Sequence, residues 1–145
     1  MIVINASVVA SMLVYADDRS RKARAVLGRD PAWAALEHWK VEVFSVMRGL
    51  ACGGKITDEV ASRAVDRIPR LGVDTVSVAD LLARMWQIGA NVSAYAAAYV
   101  ALAESRNLTL ATADAKLGRA ATAYCRWNSS PSVTACPHHP HGPRS

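Results

Sequence analysis

Val92-Ser-Ala-Tyr-Ala-Ala-Ala-Tyr-Val-Ala-Leu-Ala-Glu104, followed by Leu108-Thr-Leu-Ala-Thr-Ala-Asp-Ala-Lys-Leu117, decides the fold of this chain. The first run spaces its apolar residues for a helix over Ala94 to Arg106, with Ser93 placed as its N-cap. A tight turn leads into a short buried strand, Leu108 to Ala111, and a short helix follows over Ala115 to Ala120. Between that strand and helix stands one carboxylate, Asp114. Open α/β sheets place their chemistry in the crevice outside the carboxyl ends of the strands, and Asp114 sits at such an end.

Outward from this segment the same alternation continues. Ile2-Val-Ile-Asn5 is a β-branched run suited to a central parallel strand buried on both faces. Ala6 to Tyr15 reads as a helix, and Asp17-Asp-Arg-Ser20 opens a second, basic helix ending at Gly28. Ala34-Ala-Leu36 reads as a short strand, and a helix from about Trp39 to Ala51 ends at Gly53-Gly54. Thr57 caps a helix running to about Arg67, with Asp58 and Glu59 in the first turn, where negative charge suits the helix dipole. Val73 to Val78 alternates as a strand, Asp80 to Ile88 reads as a helix, and Tyr124 to Trp127 as a final edge strand. The pattern predicts an α/β sandwich around a mostly parallel sheet.

With 145 residues, 52% of them hydrophobic and 20% charged, the chain has the composition of one ordinary globular domain. No apolar run approaches the roughly 20 residues needed to span a bilayer. The first residues lack a basic signal-type region, and the three cysteines, Cys52, Cys125 and Cys136, are odd in number and scattered. Both features point to a reduced cytoplasm. A formal charge of +5 is compatible with a phosphate-rich partner, and equally with simple solubility. From Asn128 onward the chain turns Pro-, Ser- and His-rich, which predicts a disordered tail over 128–145 after a domain over 1–127. Cys136, His138, His139 and His141 in that tail are zinc- or nickel-binding residue types, but Pro-broken spacing argues against a fixed site.

Metal-dependent phosphodiester cleavage needs carboxylates that converge from distant sequence positions, because Mg²⁺ and Mn²⁺ take oxygen ligands. Four stretches bear on this. Met1-Ile-Val-Ile-Asn-Ala-Ser-Val-Val-Ala10, Lys40-Val-Glu-Val-Phe-Ser-Val-Met-Arg-Gly-Leu50, Tyr95-Ala-Ala-Ala-Tyr99 and Leu110-Ala-Thr-Ala-Asp114 together resemble the acidic motifs of PIN-domain ribonucleases. The likeness is strongest to the VapC toxins of bacterial toxin–antitoxin pairs, and it covers Met1 to about Trp127. By that resemblance Asn5 stands in place of the first Asp, Glu42 fills the second acidic position, Ala96 replaces the third acid and Asp114 supplies the fourth.

The resemblance implies a PIN-like three-layer sandwich with helices on both sides of the sheet. It implies an endoribonuclease that uses Mg²⁺, or Mn²⁺, to cut RNA, often transfer RNA. Glu42 and Asp114 would be the catalytic residues, and Asn5, Glu42 and Asp114 the metal-holding ones, Asn5 through its neutral carbonyl oxygen. Ser7 and Thr112 would orient the acids or a bound water, or else cap the backbone near the strand ends. The implied partners are a VapB-like antitoxin and a second copy of the chain. Losing two acids predicts weakened Mg²⁺ affinity and impaired cleavage. The alternative is a degenerate PIN domain that only binds the antitoxin.

The remaining candidates are less decided. Glu42 lies among Val41, Val43 and Phe44, and an acid in an apolar stretch suggests function. Asp114 is also placed to cap the helix after it. Arg48 is open to either a phosphate or solvent. Tyr95, Tyr99 and Trp86 read as packing residues, since Tyr95 and Tyr99 share a helix face. A generic nucleotide-binding domain is disfavoured, because no Gly-rich loop follows the first strand.

Overall fold

The strands of this computed structural model, which describes residues 1–129, form one five-stranded sheet in which every pairing is parallel. In chain order the elements are β1 (Ile2–Ile4), α1 (Ala6–Val14), α2 (Asp18–Leu27), β2 (Trp33–Leu36), α3 (Trp39–Cys52) and α4 (Asp58–Arg67). Then come β3 (Val73–Val76), α5 (Leu82–Ile88), α6 (Ala94–Arg106), β4 (Leu110–Thr112), α7 (Ala115–Ala121) and β5 (Trp127–Ser129). Single 3₁₀ turns at Ile68–Arg70 and Ala79–Leu81 follow α4 and precede α5. The expected α/β architecture is therefore present, with an entirely parallel sheet.

Strand order is β3-β2-β1-β4-β5, so the chain reverses its direction of travel across the sheet at β1. Alternation along the central strands divides the core into two halves. Ile2 and Ile4 of β1, with Ala35 and Ala111, pack under α1, α2, α3 and α4. Val3, Leu36 and Leu110 point the other way, under α6 and α7. These are the three layers of the sandwich.

Local sequence explains several boundaries. The Ser93 hydroxyl accepts the Ala96 N–H at 3.1 Å and so starts α6, the expected cap. Asn107 ends that helix in the left-handed region, at φ 49°. The last strand is displaced from its expected position: Thr122 to Tyr124 form a turn, and β5 begins at Trp127. Asn128 and Ser129, expected to open the tail, instead pair with Ala111 and Thr112. A parallel ladder thus supplies what their low strand propensity does not. The expectations for Cys136, His138, His139 and His141 lie outside the described residues.

One packing contact makes a stability prediction. Gly118, buried in α7, lies against the Trp127 indole so closely that a Cβ there would fall 2.6 Å from Cε3. The indole also donates to the Thr122 hydroxyl at 3.2 Å, which ties β5 to the end of α7. Gly118→Ala would gain about 1 kcal/mol in helix propensity. Overpacking costs about 1–3 kcal/mol, and clashes under 3 Å with the indole put it at the upper end, so net destabilisation by about 2 kcal/mol is expected. Urea unfolding followed by tryptophan fluorescence checks this, and an unchanged or raised midpoint would contradict it.

Candidate active site

The point at which strand order reverses lies between the carboxyl ends of β1 and β4, and a cleft of about 490 Å³ opens there. Asn5, Ser7, Glu42 and Asp114 all line it, together with His38 and Tyr95. The sequence thus singled out four residues that line one cavity. It missed His38 altogether, although a His four residues before Glu42 on one helix face was a usable signal.

Asn5 follows β1 and caps α1. Its Oδ1 accepts the Ser7 N–H at 2.9 Å, the Ser7 hydroxyl at very short range, and the Thr112 hydroxyl at 3.3 Å. Ser7 Oγ in turn accepts the Ala113 N–H at 3.0 Å, and Thr112 Oγ1 accepts the Asp114 N–H at 3.0 Å. This network stitches the end of β1 to the end of β4. The Asn5 carbonyl oxygen, expected as a metal ligand, is the hub of this network. Three donors already hold that oxygen, so the amide's other end, an NH₂ donor, is what remains for a cation to meet.

Asp114 is exposed, and its Oδ1 accepts the N–H groups of Lys116 at 2.9 Å and Leu117 at 3.2 Å, capping α7. Its second oxygen has no such duty. Glu42 projects from the first turn of α3 and accepts the buried Tyr99 hydroxyl on Oε1 at 2.7 Å. Burial, and then the Glu42 charge, push the Tyr99 phenol well above its ordinary pKa, so it remains a donor. His38 Nε2 lies 3.1 Å from the same Glu42 oxygen. That contact is close but not aligned as a hydrogen bond, and the buried nitrogen has no other protein partner among the described residues.

Ala96 sits half-buried in the first turn of α6, on the apolar cluster, and brings no polar atom to the cleft. The apolar neighbours of Glu42 in sequence are only partly internal. Val43 is buried, but Val41 is 70% exposed and Phe44 is 38% exposed. Glu42 is singled out by the cleft and by Tyr99 instead. Arg48 faces solvent with its guanidinium 4.7 Å from the Phe44 ring centroid. The packing role expected for three aromatic residues holds only for Tyr99, whereas Tyr95 is 63% exposed and Trp86 is 88% exposed.

The residues present do not fit a tightly held Mg²⁺. Such an ion wants close to six oxygen ligands, several from carboxylates or water. Here one Asn5 oxygen and one Glu42 oxygen are already engaged. Among the described residues no group of three or more His, Cys, Asp or Glu side chains is arranged to hold a metal.

A model of the PIN domain matches residues 2–123. The chain belongs to the PIN-domain family. Among relatives of this PIN domain, Ribonuclease VapC3 of Mycobacterium tuberculosis is 31% identical over 119 residues, covering 82% of this chain and 86% of the relative. VapC ribonuclease Mb0985 of Mycobacterium bovis is 42% identical over 84 residues, 58% of this chain. That match spans 66% of the relative, just under two thirds of its length. The chain is thus a VapC-like PIN domain. Two solved structures share its fold at 19% identity and a TM-score of 0.61: the M. tuberculosis toxin VapC20, described as cleaving the sarcin–ricin loop, and PAE2754 from Pyrobaculum aerophilum. The alignments cover 83% and 86% of this chain, and 95% and 81% of the respective structures.

Proposed function

We propose that this VapC-like domain is a ribonuclease-type toxin whose Mg²⁺-dependent cleavage is severely impaired, and that a VapB-like antitoxin remains its partner. The observation that carries this is the state of Asn5. Where a metal site needs a carboxylate oxygen, three donors occupy the only acceptor and leave an amide NH₂. Any residual affinity for Mg²⁺ or Mn²⁺ then rests on the free oxygens of Glu42 and Asp114. Ser7 and Thr112 hold the strand ends around them. RNA as substrate, transfer RNA included, and a homodimer in the cytoplasm belong to the same proposal and are supported by the family. No described helix is long and apolar enough to cross a membrane.

The alternative role, antitoxin binding without cleavage, is favoured by the lack of a three-carboxylate group among the described residues. One assay separates the two. The chain and its Glu42→Gln variant are incubated with RNA in Mg²⁺ or Mn²⁺. The expected result is slow cleavage that Glu42→Gln abolishes. Cleavage no faster than that of the variant would leave the antitoxin-binding role alone. Fast cleavage, matching a chain with all four acids, would overturn the impairment.

A further inference from the structure

Tyr95 has no role in the site as described, and its exposure is not forced by its neighbourhood. One turn further along the same helix Tyr99 is 1% exposed, whereas Tyr95 presents most of its ring to solvent. The ring stands at the rim of the cleft that Glu42 and Asp114 line. Its orientation is set by His38, whose ring meets it edge-on at 5.6 Å and 72°. Such a contact orients the aromatic ring without covering it, so less freedom is lost when a flat ligand lands on it.

The same edge of the molecule carries a second unused feature. Val41 and Ser45 line the cleft from α3, and Arg48 lies on the next turn of that exposed face. Its guanidinium is laid over Phe44, within 4.7 Å of the ring centroid, and has no carboxylate partner among the described ion pairs. An arginine held flat on an aromatic ring keeps its outward N–H groups free for a phosphate.

We infer that Tyr95, steadied by His38, is a stacking platform for one base of a single-stranded RNA, with Arg48 on Phe44 contacting a phosphate of the same strand. This deepens the RNA-binding part of the proposed function and rests on it. Stacking tolerates any base, because each has a π-face, so the platform would serve an unpaired segment rather than a duplex. Tyr95 is a binding residue here and takes no part in bond cleavage.

The test uses the whole chain and a labelled single-stranded oligoribonucleotide in a chelating buffer, so that no cleavage intervenes. Fluorescence anisotropy is read across a salt series. Tyr95→Ala is expected to weaken binding about five- to a hundred-fold, and Tyr95→Phe to bind nearly as the native chain does. Arg48→Ala should weaken binding and reduce the log affinity–log salt slope by about 0.7. Native-like binding by Tyr95→Ala, from a chain that does bind the strand, would overturn the platform and leave the RNA reading standing. No binding by the native chain even at low salt would overturn both. A paired duplex bound as tightly as the single strand, with equal loss on Tyr95→Ala, would also overturn the platform.

Discussion

Mg²⁺-dependent RNA cleavage is expected to rise at least ~100-fold in the double variant Asn5→Asp/Ala96→Asp. An opposite unit charge at about 4 Å contributes about 4 kcal/mol at an effective dielectric of 20, and more toward a dication. If only ~2.7 kcal/mol of the restored attraction reaches the rate-limiting barrier, the gain is already about 100-fold. The local structure is prepared for the first change. The three donors that now hold the Asn5 oxygen would stabilise one oxygen of an ionised carboxylate and free the other for the cleft. Neither single change should match the double one, because groups sharing a cation act as a unit.

The same variant has a stability signature. Two further acids add like-charge repulsion to Glu42 and Asp114 without metal, and one of them stands on an apolar cluster, so the double variant should melt below the native chain in a chelator. Adding Mg²⁺ should raise its Tm more than that of the native chain. Inactivity of the double variant would count against the assignment of these positions. Equal Mg²⁺ affinity of the two proteins by calorimetry would contradict the claim that the site is depleted.

Leu102→Ala is expected to destabilise the fold by about 2–5 kcal/mol. Every residue of α6 from Ala97 to Ala103 is buried, and most of them are alanine. The small side chains let the helix lie close on the sheet, so the few larger ones, Tyr99, Val100 and Leu102, fill what space is left. Leu102 is fully buried. Its alanine neighbours have no longer side chain with which to close a cavity, which places the expected cost in the upper half of that range. Chemical denaturation measures it directly. A loss under about 1 kcal/mol would mean that the helix relaxes onto the sheet.

Much of the fold was legible because its signals are local. Ser93, Thr57 and Asp17 cap helices as their residue types suggest, each by its own side chain. The buried strands Ile2–Ile4 and Leu110–Thr112 are apolar enough to identify alone. β5 was misplaced because its residues are held by pairing with β4, a partner that the residues themselves do not announce. In the site, the identity of Asn5 could be read, but not which end of its amide would be free. That depends on the Ser7 and Thr112 hydroxyls, and the latter is 107 residues away. The exposure of Tyr95 escaped for a related reason. A shared helix face with Tyr99 fixes direction along the helix, but not where the neighbouring layer stops.

The position of β1 in the middle of the sheet bears on how the protein comes into being. Its neighbours are β2 on one side and, on the other, β4 from the far part of the domain. Contacts of such long sequence separation slow folding, because a large loop must close before the pairing rewards it. Until β4 is made, the central strand has a bare edge, and Asn5 lacks the Thr112 hydroxyl that completes its network. A chain that has not yet reached β4 therefore has no assembled cleft.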